Sequence, residues 1–335
     1  MELVAYNPLM HLVGTEHGEL PQSLIYVPLL FQGNALGVIT AQSFSKNAYS
    51  ERDITLLATL ASYIVIALDN AKAYKVIKLK NEQITDSIRY AETIQNAFLP
   101  TNKLFSQAFR DYFVLSYPKD IVSGDFYWLA QVQQEQHSYT FLAVVDCTGH
   151  GVPGALMSMI GNTLLNEIVH QKGIVAPQQI LQQLDHTIQL YLQQHETDNA
   201  EGMDIVLCRF EQQPTHTELV YAGAKRPLYL VQNGVFKELK PTRNSIGGAY
   251  HKQKPFEQTT LNLQQNDMVY LCSDGFTDQN NVARHRFSVT RLSEIVLASA
   301  TMPCEAQADV LKNAFFEFKA NTEQRDDVTL IGVRV

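Results

Sequence analysis

Residues 23–44, SLIYVPLLFQGNALGVITAQSF, are rich in apolar and β-branched positions on either side of a Gly33–Asn34 turn region, and predict two strands. The period then changes. Ser50 reads as an N-cap with Asp53 three residues on as its capping-box partner, and no proline interrupts the chain from there to Leu99. An uninterrupted helix of that length would extend about 75 Å. Leu60, Ile64, Ala67, Ala71 and Tyr74 step by four and three. Ile77, Asn81, Ile84, Ile88, Ala91 and Phe98 form a second series, with Gln95 at a seam position. The two series are out of phase near Tyr74–Ile77, as at a stammer. Asn81 falls at an a-type position, where a buried Asn specifies a parallel dimer. The pattern permits two arrangements: a helix packed on its own domain, or a homodimeric coiled coil, the latter favoured over 77–98.

Pro100 ends this pattern, and short β-rich segments follow: YFVLSYP, GDFYWLAQV, YTFLAVVD, MDIVLCRFE, HTELVYAGA, LYLVQ, MVYLCSD and VTLIGVRV. Helical spacing appears near 154–170, 177–195, 290–299 and 304–319. Strands outnumber helices without alternating with them, which predicts an α+β fold rich in antiparallel pairing. The expected division is 1–74, a linker helix over 75–100, and a second domain over 101–335.

Composition changes this picture little. The 335 residues are 45% hydrophobic with a net charge of −8, enough for about two domains and against a nucleic-acid footprint. The apolar run YIVIAL is too short to span a bilayer, and no charged start with an apolar region and small-residue cleavage site opens the chain. Neither membrane insertion nor a secretory signal is therefore expected. Cys147, Cys208, Cys272 and Cys304 lack CxxC spacing, so free thiols and a cytoplasmic location are expected.

The candidate chemistry lies where apolar strands run into acids. Asp125 sits in SGDFYW, Asp146 closes FLAVVD, Asp274 closes MVYLCSD, and Asp326 and Asp327 open DDVTLIGVRV. Each alone reads as a turn former. Together at one edge they would repel one another, and few arginines are in evidence to neutralise them. Divalent Mn²⁺ or Mg²⁺ with oxygen ligands would resolve the repulsion, and two ions could share a carboxylate. Gly149, Gly151 and Gly154 would let backbone wrap closely round such a site. The sequence lacks a complete P-loop, HExxH or GxSxG motif.

The segments SGDFYW, VVDCTGHGVPGALMS, GMDIVL, YAGAKRPLYL, SIGG, LCSDGFTDQ and QRDDVTLIGVRV occur in the order found in stage II sporulation protein E-like phosphatases. Over about 85–335 the chain resembles this group of metal-dependent PPM-type serine/threonine phosphatases. The resemblance implies an αββα sandwich of two antiparallel sheets, with two metal ions at one sheet edge. It implies Asp146 as the shared ligand, a backbone ligand at the Cys147 carbonyl, and Asp125, Asp274 and Asp326 as further ligands, with Asp327 a weaker candidate. It further implies hydrolysis of phosphoserine or phosphothreonine on a STAS-type anti-anti-sigma protein. His150 could protonate the leaving oxygen or only shape the turn. Lys119 stands where a phosphate-binding arginine is often found, and could equally be a solvated lysine; Lys225 and Arg325 are further cations without specific support. Residues 20–75 resemble the second half of a GAF domain, with most of a ligand pocket missing, so no effector is expected. The alternative to an enzyme is a silent partner-binding module of the same fold, against which the intact aspartate set argues.

Overall fold

The computed structural model describes residues 20–248 and 255–335, and its chain divides into two compact units at Thr85/Asp86. In the first unit β1 (Ser23–Phe31) and β2 (Asn34–Ser43) form an antiparallel hairpin. Its two-residue turn is Gln32–Gly33, one position earlier than the Gly-Asn pair expected. Both residues have positive φ (50° and 84°), as a type I′ turn requires. Leu29 of β1 is buried against Ala61 and Val65 of α1 (Glu51–Phe98), with Val27 and Ile39 beside them. The start of α1 is a capping box: the Ser50 N–H donates to Asp53 Oδ2 at 2.8 Å, and the Asp53 N–H to Ser50 Oγ at 3.4 Å.

Two expectations about α1 are corrected. The stretch Glu51–Ala108 contains an 18-residue window of mean hydropathy 1.6, long and apolar enough to cross a membrane by length and composition. The unbroken run YIVIAL understated this, because the Ile, Leu and Ala residues before it keep the average high. Gln95 is not an open seam residue. It is 5% exposed and hydrogen-bonded to Ser123 and Ser158 within the second unit. By contrast Tyr74, Ile77 and Ile84 are exposed.

The second unit is an αββα sandwich. One sheet runs β11–β7–β6–β5–β4, with β10 (Ile246–Gly247) paired to β6; the other runs β3–β13–β12–β8–β9. The first comprises β4 (Asp125–Gln134), β5 (His137–Cys147), β6 (Gly202–Gln212), β7 (Thr217–Ala224) and β11 (Gln258–Leu263). The second comprises β3 (Asp111–Tyr117), β8 (Leu228–Gln232), β9 (Val235–Leu239), β12 (Met268–Cys272) and β13 (Val328–Arg334). The period of two in β5 shows how the layers form. Leu142 and Val144 enter the core between the sheets, with Val206, Leu230, Leu271 and Ile331. Phe141, Ala143 and Val145 face the opposite way, onto α3 (Gly151–Asn166) and α4 (Pro177–Tyr191). The second sheet is covered likewise by α6 (Ser288–Ser299) and α7 (Cys304–Lys319).

The strands β9 and β11 and the short helices α2 (Asn102–Ala108) and α5 (Asp274–Asp278) were not expected from the pattern. β9 and β11 are edge strands with exposed faces, so their sequences carry little apolar alternation.

Candidate active site

Three aspartates stand side by side across three strands. In the antiparallel register Asp125 of β4 faces Asp146 of β5, and Asp146 faces Asp204 of β6. Directly opposed residues share a sheet face, and adjacent strands lie about 4.8 Å apart, so the three carboxylates form a row. Asp274 opens α5 immediately beyond β12, and Asp326 and Asp327 precede β13. The acids of the two sheets are close enough to act on one another. Burial, with repulsion from Asp327 and Asp326 and partly offset by the Ser273 and Thr329 hydroxyls, pushes the Asp125 carboxyl up to about 8. Burial pushes Asp146 well above the carboxylate range, reinforced by Asp125 and Asp274 and opposed by Arg226.

Arg226 was missed in the sequence, where few neutralising arginines were expected. Its Nη2 lies 2.8 Å from Asp274 Oδ2 and 3.1 Å from Asp204 Oδ2, and its Nη1 is 3.9 Å from Asp146 Oδ2. The backbone holds it there. Lys225 adopts a left-handed φ of 54°, the Arg226 N–H donates to the Ala224 carbonyl, and the Tyr221 hydroxyl donates to the Arg226 carbonyl. Asp204 also accepts from Ser245 Oγ at 2.7 Å and lies 3.7 Å from Lys225 Nζ. A polar residue flanked by MDIVLC was the available signal for Asp204. For Arg226 the signal was its place in the segment YAGAKRPLYL, but its role needed the fold, because it follows β7 and reaches acids from three other elements.

The other candidates divide in character. Asp327 is buried and locked, its oxygens accepting from the Lys119 and Gly124 main-chain N–H groups at 2.7 Å each. Asp326 is exposed and accepts from the Asp327 N–H. Cys147 is buried at the end of β5, and burial pushes its thiol up, which removes it as a nucleophile but leaves its carbonyl at the loop. A side chain on Gly124 would stand 3.4 Å from that carbonyl and 2.4 Å from the carbonyl of Gly149, so the loop admits no Cβ there. His150 precedes α3, and its Nδ1 is 2.6 Å from Asp120 Oδ2, a partner the sequence did not reveal. The main chain of Lys119 is tied to Asp327, with its side chain half-buried, and the Arg325 N–H donates to Gln279.

The donor set fits a hard divalent cation. It is all oxygen, and Asp125 Oδ2 is buried with no hydrogen-bond partner. As placed, however, no three His, Cys, Asp or Glu side chains among the described residues converge on a common ion position.

Comparison with known proteins decides the family. The profile described as stage II sporulation protein E (SpoIIE) matches residues 136–335. The chain belongs to the SpoIIE family. Its residues 5–69 match a GAF domain. Among solved structures, the SiaA-PP2C domain of Pseudomonas aeruginosa is 31% identical, with a TM-score of 0.67 over 76% of this chain and 98% of that one. A SpoIIE phosphatase domain with a regulatory fragment, from Bacillus subtilis, is 16% identical, with a TM-score of 0.53 over 67% of this chain and 63% of that one. The latter likeness concerns the fold alone. No curated protein matches the chain. The αββα unit is thus a SpoIIE-family phosphatase domain of the PP2C type.

Proposed function

We propose that this chain hydrolyses phosphoserine or phosphothreonine on a regulatory protein, a STAS-type anti-anti-sigma factor, using two Mn²⁺ or Mg²⁺ ions. The observation that carries the reading is the opposed pair Asp125 and Asp146, the first buried and the second partly buried, beside Asp274 in a SpoIIE-family fold. Asp146, Asp125, Asp274 and Asp326 and the Cys147 carbonyl would hold the ions. When bound, such ions supply a nucleophilic hydroxide at neutral pH and offset charge on the phosphoryl oxygens. His150, oriented by Asp120, donates a proton to the departing seryl or threonyl oxygen. Lys119, on the 118–124 connection with its main chain bonded to Asp327, would bring its ammonium to the phosphoryl group. The buried free cysteines support a cytoplasmic location.

Assembly as a homodimer through α1 belongs to the same proposal. All residues of 71–80 are exposed, and its apolar residues, Tyr74 and Ile77 on one face and Val76 and Leu79 on the other, have no partner among the described residues. The deciding experiment is hydrolysis of p-nitrophenyl phosphate and a phosphoserine peptide with Mn²⁺, comparing the native chain with Asp146→Asn. Manganese-dependent turnover lost in the variant supports the enzyme. A folded native chain without it would instead be a silent partner-binding module.

A further inference from the structure

Arg226 occupies an unusual position for a cation: it is shared among acids that a divalent ion would also need. Its side chain is only 14% exposed and its Nε is buried without a partner, so the guanidinium is held by its two terminal nitrogens alone. Those nitrogens reach Asp204, Asp274 and, more distantly, Asp146. Arg226, with Lys225 at Asp204 alone, cannot neutralise Asp125, Asp146, Asp204 and Asp274 together, and Asp125 Oδ2 is left buried and unpaired. The carboxylates nevertheless do not converge on an ion position.

We propose that Arg226 is an internal counter-ion that competes with divalent metal for Asp146 and Asp274, with Asp204 as the acid that retains it when metal binds. The planar fork of arginine can bridge two carboxylates at once, which a lysine ammonium does less well. Asp204 is suited to retention, because Ser245 and Lys225 fix it independently of the other acids. The guanidinium stays protonated throughout, so it yields its place by moving rather than by neutralising. Metal affinity is thereby lowered, while the metal-free acids are kept from repelling one another. The inference rests on the metal-dependent phosphatase reading above.

Manganese binding, followed by the electron paramagnetic resonance signal of free Mn²⁺, tests it together with thermal melting in EDTA and in excess Mn²⁺. Arg226→Gln is expected to bind Mn²⁺ about tenfold more tightly and to melt lower than the native chain in EDTA, with the deficit reduced or reversed in Mn²⁺. Arg226→Lys is expected to fall between the two, and it decides the matter if the Gln variant does not fold without metal. Lys225→Gln removes the same charge from a residue bound to Asp204 alone, and should tighten binding less than threefold. Unchanged or weaker affinity in Arg226→Gln, or equal tightening in Lys225→Gln, overturns the inference while leaving the phosphatase reading intact. If the native chain neither binds Mn²⁺ nor hydrolyses phosphoester with it, both fall.

Discussion

Gln95 and Ser123 exchange two hydrogen bonds: Gln95 Nε2 donates to the Ser123 carbonyl at 2.6 Å, and the Ser123 N–H donates to Gln95 Oε1 at 3.0 Å. One amide side chain thus satisfies both backbone groups of a residue two positions before Asp125, and it also donates to Ser158 of α3. Truncation by Gln95→Ala leaves those groups unpaired in a buried place, at a cost of about 2–4 kcal/mol. Urea unfolding should show that loss. Mn²⁺ affinity should fall as well, because the Ser123–Asp125 segment loses its anchor; unchanged affinity would confine Gln95 to a stability role.

Gly154 of α3 has no room for a side chain. A Cβ there would lie 2.4 Å from the Gly149 carbonyl oxygen and 2.7 Å from the Gly124 Cα, both backbone atoms. Alanine gains about 1 kcal/mol in helix propensity over glycine. The clash should outweigh this, giving Gly154→Ala a net loss of roughly 2 kcal/mol or more and a sharp drop in turnover. A neutral or stabilised variant in urea unfolding would show that the loop yields easily.

The pH dependence of the metal-free protein has a definite sign. The folded Asp125 carboxyl is raised to about 8, against about 4 unfolded, so between these values the folded state holds a proton that the unfolded state has lost. Stability from this group is therefore greatest below about pH 4 and declines as pH rises towards 8. Asp146 shifts in the same direction. Thermal melting in EDTA should fall over that range more steeply for the native chain than for Asp125→Asn. Equal slopes would contradict the assignment.

His150 can be tested through the leaving group. Nitrophenolate departs without a proton, whereas a seryl oxygen needs one. His150→Gln should therefore lower kcat for a phosphoserine peptide by about 10²-fold and leave p-nitrophenyl phosphate within a few-fold. Asp120→Asn should show a weaker form of the same split, because Asp120 only orients the ring. Equal losses on both substrates would assign His150 to loop structure.

Dimerisation can be located on α1. Ile77 and Ile84 are each 58% exposed and belong to the second heptad series. Ile77→Asp with Ile84→Asp should convert a dimer to a monomer in light scattering after size exclusion, without lowering the melting temperature of the phosphatase domain. A dimer that persists would remove α1 as the interface.

Local pattern was enough for much of this architecture. The period of two in β5, the capping box at Ser50 and Asp53, and Pro100 after α1 are short-range features, and they set strands and helix ends wherever the chain stands. The acids at strand ends were visible for the same reason, because a carboxylate that closes an apolar strand breaks the pattern. Gln95 was misread because a helix seam and a docked helix end share the same spacing; only its contacts with Ser123 and Ser158, 28 and 63 residues away, separate them.

The sequence by itself determined that Asp125 and Asp146 lie at the ends of core strands and Asp274 just past one, since hydrophobic periodicity is written residue by residue. Only the tertiary structure decided what surrounds them. Strand register set Asp204 beside Asp146, and the turn after β7 carried Arg226 to three acids up to 80 positions away in the chain. Electrostatic partnership depends on distance in space, and no local spacing in the sequence encodes it.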